Sequence, residues 1–184
     1  MKKRFEKWQI WIINKKILER DFRSYIRDRI IRKINPNPRL VKLHLNKAFH
    51  NLDFAIFTLN NQDKINKRLE EETYFDWVVI ISYYAMYHSA TALLYKSGYK
   101  TSTHLATICV LCKEFLGKTL EKQDIERLSR TLELNKNEIK EIGRAKERRE
   151  KASYSGSISF EKYLAEITIE DARKFINKIA DILE

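Results

Sequence analysis

The sequence has few of the residues that mark disordered, fibrous or disulfide-bonded chains. Its 184 residues include only four Gly, two Pro and two Cys. So little Gly and Pro excludes a collagen-like or low-complexity chain, and two Cys are too few for a disulfide scaffold. Charged residues make up 33% of the chain and hydrophobic residues 43%. A chain of this length forms one domain, or one domain with an appendage, and buries about 70% of the surface of its unfolded state.

A convincing targeting or membrane segment is also missing. The first residues, M-K-K-R, resemble the start of a signal peptide, but Lys15 and Lys16 end the short apolar stretch and no small-residue cleavage site follows. Residues 77–95 carry no charge and are long enough to span a bilayer. They also contain Tyr, His, Ser and Thr side chains, which favour a buried central helix. We therefore expect a soluble, cytoplasmic protein that binds no membrane.

Acidic residues are scarce at the N-terminus, so the net charge of +11 is unevenly distributed. Residues 1–40 carry 13 Lys or Arg against four Asp or Glu, a net charge of +9, and the rest of the chain carries +2. Five cations and two anions within residues 144–151 form a second excess. Such segments indicate a polyanionic partner, either a nucleic acid or an anionic membrane surface, although a solvated helix face is an alternative.

Apolar periodicity predicts an all-α fold with an additional helix in front. Apolar residues at steps of three and four predict one amphipathic helix over residues 5–34, and Asn35-Pro36-Asn37-Pro38 breaks it. We therefore divide the chain into a basic amphipathic N-terminal helix with its Pro linker, residues 1–38, and a helical bundle, residues 39–184. The apolar side of the first helix has to pack on the bundle, on a second chain or on a membrane surface.

Within the bundle the sequence predicts helices and no strand. The helices cover about residues 39–60, 71–96, 103–116, 121–132 and 135–151. Residues 153–157 are predicted to form a loop and residues 161–166 a short helical turn. Thr168-x-x-Asp171 resembles a capping box, so the last helix is predicted to begin there.

Two cysteines and two histidines are the first candidates for chemistry. Cys109 and Cys112 share one helix face, either as small buried hydrophobic residues or as part of a metal or redox site. His88 and His104 are either core histidines with satisfied hydrogen bonds or proton-transfer groups beside a site.

The basic segment at residues 144–151 is the second candidate. Arg144, Arg148 and Lys151 form one stripe on the predicted helix, and Arg149 lies on another. Arginine binds phosphate through two parallel hydrogen bonds and stays charged. The stripe is therefore either a phosphate site or a solvated face with neighbouring glutamates.

Three segments resemble the HEPN domain family (higher eukaryotes and prokaryotes nucleotide-binding). They read S-Y-Y-A-M-Y-H-S-A-T-A-L-L at residues 82–94, G-Y-K-T-S-T-H at residues 98–104 and R-E-K-A-S-Y at residues 149–154. The likeness covers about residues 40–184 and is strongest to a small prokaryotic branch of the family. It implies an up-and-down bundle of four or five helices, usually a homodimer.

The resemblance also implies a class of activity. Many HEPN proteins are toxins encoded beside a minimal nucleotidyltransferase antitoxin, and active members are metal-independent ribonucleases with an Arg-x4–6-His motif. Here Arg149 matches the Arg, and Tyr154 stands where the His would be. The resemblance thus makes Arg149 and Tyr154 the catalytic candidates. The candidates for binding RNA or nucleotide are Arg144, Arg148, Lys151, His88 and His104.

Two functions follow as expectations. In the first, the chain is a toxin–antitoxin component that binds RNA or nucleotide and cleaves RNA without a metal or other cofactor. In the second, it is a non-catalytic binding or assembly module that partners a nucleotidyltransferase. The second expectation rests on Tyr154, because tyrosine has an ordinary pKa of about 10 and is a poor base near neutral pH.

Overall fold

A computed structural model describes residues 6–65, 73–132 and 155–184. These residues form helices with two short strands, which confirms the all-α class. In chain order the elements are α1 (Lys7–Ile13), α2 (Lys15–Arg27), β1 (Ile31–Lys33), α3 (Pro38–Asn60), α4 (Gln62–Ile65), α5 (Phe75–Lys96), β2 (Tyr99–Thr101), α6 (His104–Glu114), α7 (residues 122–132) and α8 (Ser155–Leu183).

Helix α5 forms the centre of the bundle, with α3 and α8 packed along it. A row of small, fully buried residues lets neighbouring helices approach it closely: Ser82, Ala85, Ser89 and Ala92. By length and composition α5 would also suffice to cross a membrane, but 67% of the apolar window is buried inside the bundle. That burial is typical of a core helix, as the sequence predicts.

Residues 7–27 form two helices where the sequence predicts one. Asn14 ends α1 and begins α2, because its side-chain oxygen accepts a hydrogen bond from the Ile17 N–H at 3.1 Å. Trp11, Leu18 and Phe22 are buried in the same apolar core as the bundle, mainly against α6. These residues belong to an N-terminal arm, residues 6–33, which comprises α1, α2 and the segment after them. Among the bundle, a second chain and a membrane surface, the apolar side of the arm therefore packs on the bundle.

The arm ends in a strand that the sequence does not predict. Strand β1 pairs antiparallel with β2, and Ile31, Arg32 and Lys33 lie opposite Thr101, Lys100 and Tyr99. Ile31 is 1% exposed. The spacing of the isoleucines here fits a helix and a strand alike, and pairing with β2 decides between them.

The start of α3 follows its sequence signals. The Asn37 side chain accepts from the Leu40 N–H at 3.1 Å, and Pro38 occupies the first turn, where its missing N–H is not needed. The division of the chain at residue 38 stays a prediction.

Helix α8 begins earlier than predicted. It is continuous from Ser155 to Leu183, so the predicted loop after residue 154 and the capping box at Thr168 are wrong. The Thr168 hydroxyl donates to the Leu164 carbonyl at 2.7 Å inside the helix. Asp171 instead forms ion pairs with Arg127 and Arg130 of α7. The helix predicted at residues 135–151 lies outside the described residues.

Candidate functional site

Both predicted histidines belong to one group of rings at the surface of α5. This ring cluster joins α3, α5 and the first turn of α6. Its members are His44, Tyr83, Tyr84, Tyr87, His88, Tyr95 and His104.

One end of the ring cluster is a pair of histidines. The Nδ1 atoms of His44 on α3 and His88 on α5 are 3.0 Å apart, so one ring donates a hydrogen bond to the other. Tyr95 stacks on His44, with ring centroids 5.3 Å apart and planes 23° apart. A neutral pair of this kind leaves one free Nε2 lone pair and one Nε2–H.

Partial burial keeps these imidazoles uncharged. Desolvation, with smaller contributions from His44 and Lys47, lowers the pKa of His88 to about 4. Desolvation and then Lys47 also lower the pKa of His44. Both rings are therefore neutral near pH 7, and protonation of either one costs free energy in the folded state.

The other end of the ring cluster surrounds His104. This residue opens α6, whose Thr103 side chain caps the helix by accepting from the Ala106 N–H at 3.2 Å. The His104 ring stacks on Tyr87 at 4.3 Å and on Tyr83 at 5.3 Å between centroids. Its Nδ1 is hydrogen-bonded to the Tyr83 hydroxyl. Burial raises the pKa of Tyr83 above its ordinary value, so this phenol stays protonated and its O–H can donate.

Tyr87 and Tyr84 connect the two ends to each other and to solvent. The rings of Tyr87 and His88 lie 6.2 Å apart, and Tyr84, next to Tyr83, is 40% exposed. Exposed and half-buried rings beside hydrogen-bonding imidazoles suit unstacked nucleobases, which bind proteins by stacking and through their polar edges.

The surroundings of the ring cluster favour anions. Residues 29–52 and 77–113 contain no Asp or Glu, and they include the first half of α3, nearly all of α5 and α6 up to Lys113. Lys47 is exposed near the histidine pair. Among the described residues no group of three or more His, Cys, Asp or Glu side chains is placed to hold a metal ion.

The other predicted site residues fall in a part of the chain that the structure does not describe. Arg144, Arg148, Arg149, Lys151 and Tyr154 all lie within residues 133–154, so their roles stay predictions. His88 and His104 lie in one cluster, and the ring of Tyr87 lies beside both of them.

One member of the ring cluster, His44, is not among the residues that the sequence predicts for the site. It lies four residues after Leu40 and four before Ala48, on the stripe of α3 that faces the core. A polar ring on such a stripe needs a partner in the core, and here His88 supplies it.

The two cysteines are small buried residues. Both are free thiols in α6, and burial raises the pKa of Cys112 to about 12 and also raises that of Cys109. A thiol that does not ionise near neutral pH is a poor nucleophile and a poor metal ligand.

An exposed aromatic face is a second surface feature. Phe54 and Phe57 on α3 are 52% and 55% exposed, and Trp77 on α5 is 51% exposed. Trp77 and Tyr84 are seven residues apart and so share one side of α5. Large exposed apolar side chains are typical of surfaces that bind other proteins.

Comparisons with known proteins agree with the motifs quoted above. Residues 42–183, well over half of the chain, match the HEPN domain. A UPF0332 protein of the archaeon Archaeoglobus fulgidus is 33% identical over 99 residues, which are 53% of this chain and 66% of that protein. The match thus spans just under two thirds of that relative. Because the family match extends from α3 to the end of α8, the chain belongs to the HEPN domain family.

Proposed function

We propose that this HEPN protein is the RNA-binding component of a toxin–antitoxin-type pair and cleaves RNA without a metal ion. The ring cluster is the observation that carries the proposal. It combines neutral imidazoles, a protonated phenol and partly exposed rings on segments of α3, α5 and α6 that contain no Asp or Glu. Such a surface attracts a polyanion and offers its bases rings on which to stack.

The chemistry of RNA cleavage matches these groups. Attack by the 2′-OH on the adjacent phosphate needs a base, an acid and a positive charge near the phosphate oxygens. The histidine pair offers one Nε2 that accepts a proton and one Nε2–H that donates. A bound phosphate favours the protonated imidazole, so RNA should raise the pKa of His88 from about 4 toward the working range of a base.

The proposal is tested by incubating the protein with end-labelled RNA in the presence of EDTA. A matched RNA that lacks the 2′-OH groups serves as substrate control, and Arg149→Ala and His88→Asn serve as variants. We expect cleavage of the ribose RNA alone, with a 2′,3′-cyclic phosphate product, and a large loss of rate in both variants. Absence of cleavage, or equal cleavage by wild type and Arg149→Ala, would contradict the catalytic part and leave RNA binding to be judged by affinity.

The exposed aromatic face favours the second candidate, a non-catalytic assembly module. Because the arm packs on its own bundle, a partner needs another apolar surface, and Phe54, Phe57 and Trp77 are large apolar side chains that stay exposed among the described residues. We propose that a second copy of the chain covers it in a homodimer, and that a minimal nucleotidyltransferase is the partner in the complete assembly.

Solution mass tests this surface. Phe57→Ser with Trp77→Ser should convert a dimer into a monomer at micromolar concentration. Because both rings are about half exposed, their removal should disturb the packing within the subunit only a little. Leu43→Ser, at another exposed apolar position (47% exposed), is the matched control. An unchanged mass in the double variant would remove the aromatic face from the dimer contact.

A further inference from the structure

The antiparallel ribbon of β1 and β2 presents two cations side by side. The Ile34 N–H donates to the Gly98 carbonyl at 2.9 Å, and the Ser102 N–H donates to the Ile30 carbonyl at 3.0 Å. Hydrogen-bonded and non-hydrogen-bonded pairs alternate along an antiparallel ladder. Because the pairs two residues away on either side are hydrogen-bonded, Arg32 and Lys100 are also a hydrogen-bonded pair, with Cα atoms about 5.5 Å apart. Both side chains are exposed on the side opposite buried Ile31.

This pairing is unfavourable for the ribbon itself. Like charges directly opposite one another destabilise a pair of strands. Arg32 and Lys100 form no ion pair with any described residue, and the nearest acids in sequence are Asp28 and Glu114. The cations of α2 differ, because Arg20, Arg23 and Arg27 each pair with a neighbouring carboxylate.

Arg29 adds a third cation at a position that favours glycine. It follows the C-cap of α2, and its φ of +56° is left-handed. The Ile30 N–H donates to the Tyr25 carbonyl and the Arg29 N–H to the Ile26 carbonyl, the two bonds of a Schellman motif. Glycine fits this position without strain, so the arginine is held there at a cost to stability.

We propose that Arg29, Arg32 and Lys100 form a binding surface for the phosphate backbone of RNA. The inference rests on the proposed RNA-binding function and adds a surface outside the ring cluster. Only three residues separate Lys100 from His104, so a strand that stacks on the ring cluster can continue onto the ribbon. RNA fits better than an anionic membrane, because Ile31 is buried and a membrane-binding surface needs exposed apolar residues beside its cations.

Salt-dependent RNA affinity measures these contacts. The probe is a fluorescein-labelled, mixed-sequence single-stranded RNA of roughly 20 nucleotides, followed by fluorescence anisotropy from about 50 to 300 mM salt. Arg32→Gln with Lys100→Gln should weaken binding about 10-fold near 150 mM salt and reduce the slope of log K against log salt by about 1.4. Arg32→Lys with Lys100→Arg keeps both charges and should bind as the wild type does.

Arg20→Gln with Arg23→Gln is the matched control. It removes the same net charge from exposed positions on α2, so a general effect of net charge would weaken binding equally in both double variants. We expect a clearly smaller effect in the control, and equal effects would overturn the proposal. Circular dichroism and thermal unfolding confirm that each variant is folded.

Arg29→Gly separates binding from stability. Glycine relieves the left-handed strain, so we expect a higher midpoint of thermal unfolding together with weaker RNA binding. A change in stability without any loss of affinity would show that Arg29 contributes nothing to binding.

The possible failures are distinguishable. If the wild type binds no RNA, the proposed function fails and the ribbon proposal fails with it. If the wild type binds RNA and the Arg32/Lys100 variant binds equally well, only the ribbon proposal fails. The wild type is also tested with phosphatidylglycerol-containing vesicles. If it binds these vesicles more strongly than RNA, and Arg32→Gln with Lys100→Gln abolishes that binding, the surface belongs to a membrane and the RNA proposal is overturned.

Discussion

Gly98 is the residue on which the attachment of the ribbon depends most directly. Its φ is +76°, and a Cβ at this position would lie 2.8 Å from the Ile34 carbonyl oxygen. The N–H of Ile34 in turn donates to the Gly98 carbonyl, in the ladder that holds β1 to β2. One position thus needs both a left-handed backbone and the absence of a side chain.

We expect Gly98→Ala to lower the free energy of unfolding by about 2–3 kcal/mol, from backbone strain and the contact with the Ile34 carbonyl together. Gly117→Ala is the control, because Gly117 has a φ of +79° and nothing within 4 Å of the added Cβ. It should cost only about 1 kcal/mol of strain. Urea unfolding measures both, and equal losses would show that the Ile34 contact relaxes freely.

The histidine pair predicts a pH dependence of stability. The pKa of His88 is about 4 in the folded state and about 6.5 in the unfolded chain, so the unfolded chain binds more protons between these values. Stability should therefore fall by about 1–2 kcal/mol as the pH drops from 6.5 to 4, with no further loss from this group below pH 4.

Urea unfolding at several pH values tests this loss. His88→Asn keeps a hydrogen-bonding group near Nδ1 and removes the titration, so its stability should vary less over the same window. His50→Asn, at an exposed histidine on α3, is the control and should behave as the wild type does. A wild-type stability that is flat between pH 6.5 and 4 would contradict neutral burial of the pair.

Between elements, a buried carboxylate connects α7 to α8. The Asp124 side chain is 1% exposed and binds Arg127 at 2.9 Å and Lys178 at 2.8 Å. It also caps its own helix by accepting from the Glu121 N–H at 2.8 Å. The hydrogen bond with Asp124 raises the pKa of Lys178.

We expect Asp124→Ala to destabilise the protein by about 2–3 kcal/mol, because it removes a buried carboxylate that binds two cations and a helix N-terminus, while Arg127 keeps Asp171 and Lys178 keeps Glu121. Lys122→Ala removes the exposed pair with Glu126 on the same helix and should cost less than about 0.5 kcal/mol. Denaturant unfolding gives both values. A small loss for Asp124→Ala would mean that solvent replaces the carboxylate easily.

The sequence predicts elements where one physical signal dominates. The proline-bearing stretch at residues 35–38 predicts that a helix begins just after it, as α3 does, and the uncharged run marks α5 as the core helix. Prediction from the sequence fails where a contact with a residue far along the chain outweighs the local signal. Residues 31–33 become a strand because β2 is available, and Thr168 and Asp171 resemble a cap although α7 already pairs with that carboxylate.

The site could be predicted only in part for the same reason. A single helix shows which residues share a face, so His88 and its neighbouring tyrosines were accessible from spacing. The contact between His44 and His88 joins residues 44 positions apart, and packing of α3 on α5 determines it.

Across the whole molecule, arm and bundle share one apolar core, and this predicts cooperative unfolding. Trp11, Leu18 and Phe22 belong to the same buried cluster as Val110 and Phe175. The three tryptophans allow a direct test, since Trp8 and Trp11 report on the arm and Trp77 on the bundle. In Trp77→Phe, fluorescence should follow the arm alone, and we expect it to coincide with far-ultraviolet circular dichroism in urea.

The reciprocal variant, Trp8→Phe with Trp11→Phe, leaves the bundle tryptophan as the reporter. Its midpoint should be lower, because Trp11 is buried and donates to Asp21, but fluorescence and circular dichroism should again coincide. If fluorescence of Trp77→Phe changes at lower urea, the arm unfolds first. In that case the division at residue 38 would separate two thermodynamic units as well as two segments of sequence.

The ribbon also has a consequence for the order of events during synthesis. Ile31 leaves the ribosome 70 residues before its partner Thr101, and α6, which covers the apolar side of the arm, follows β2. At about 5–20 residues per second, the arm waits roughly 4–14 s for its partner strand. During that time a segment that is both basic and apolar lacks the elements that cover it, so any nearby polyanion competes with α6 for the arm.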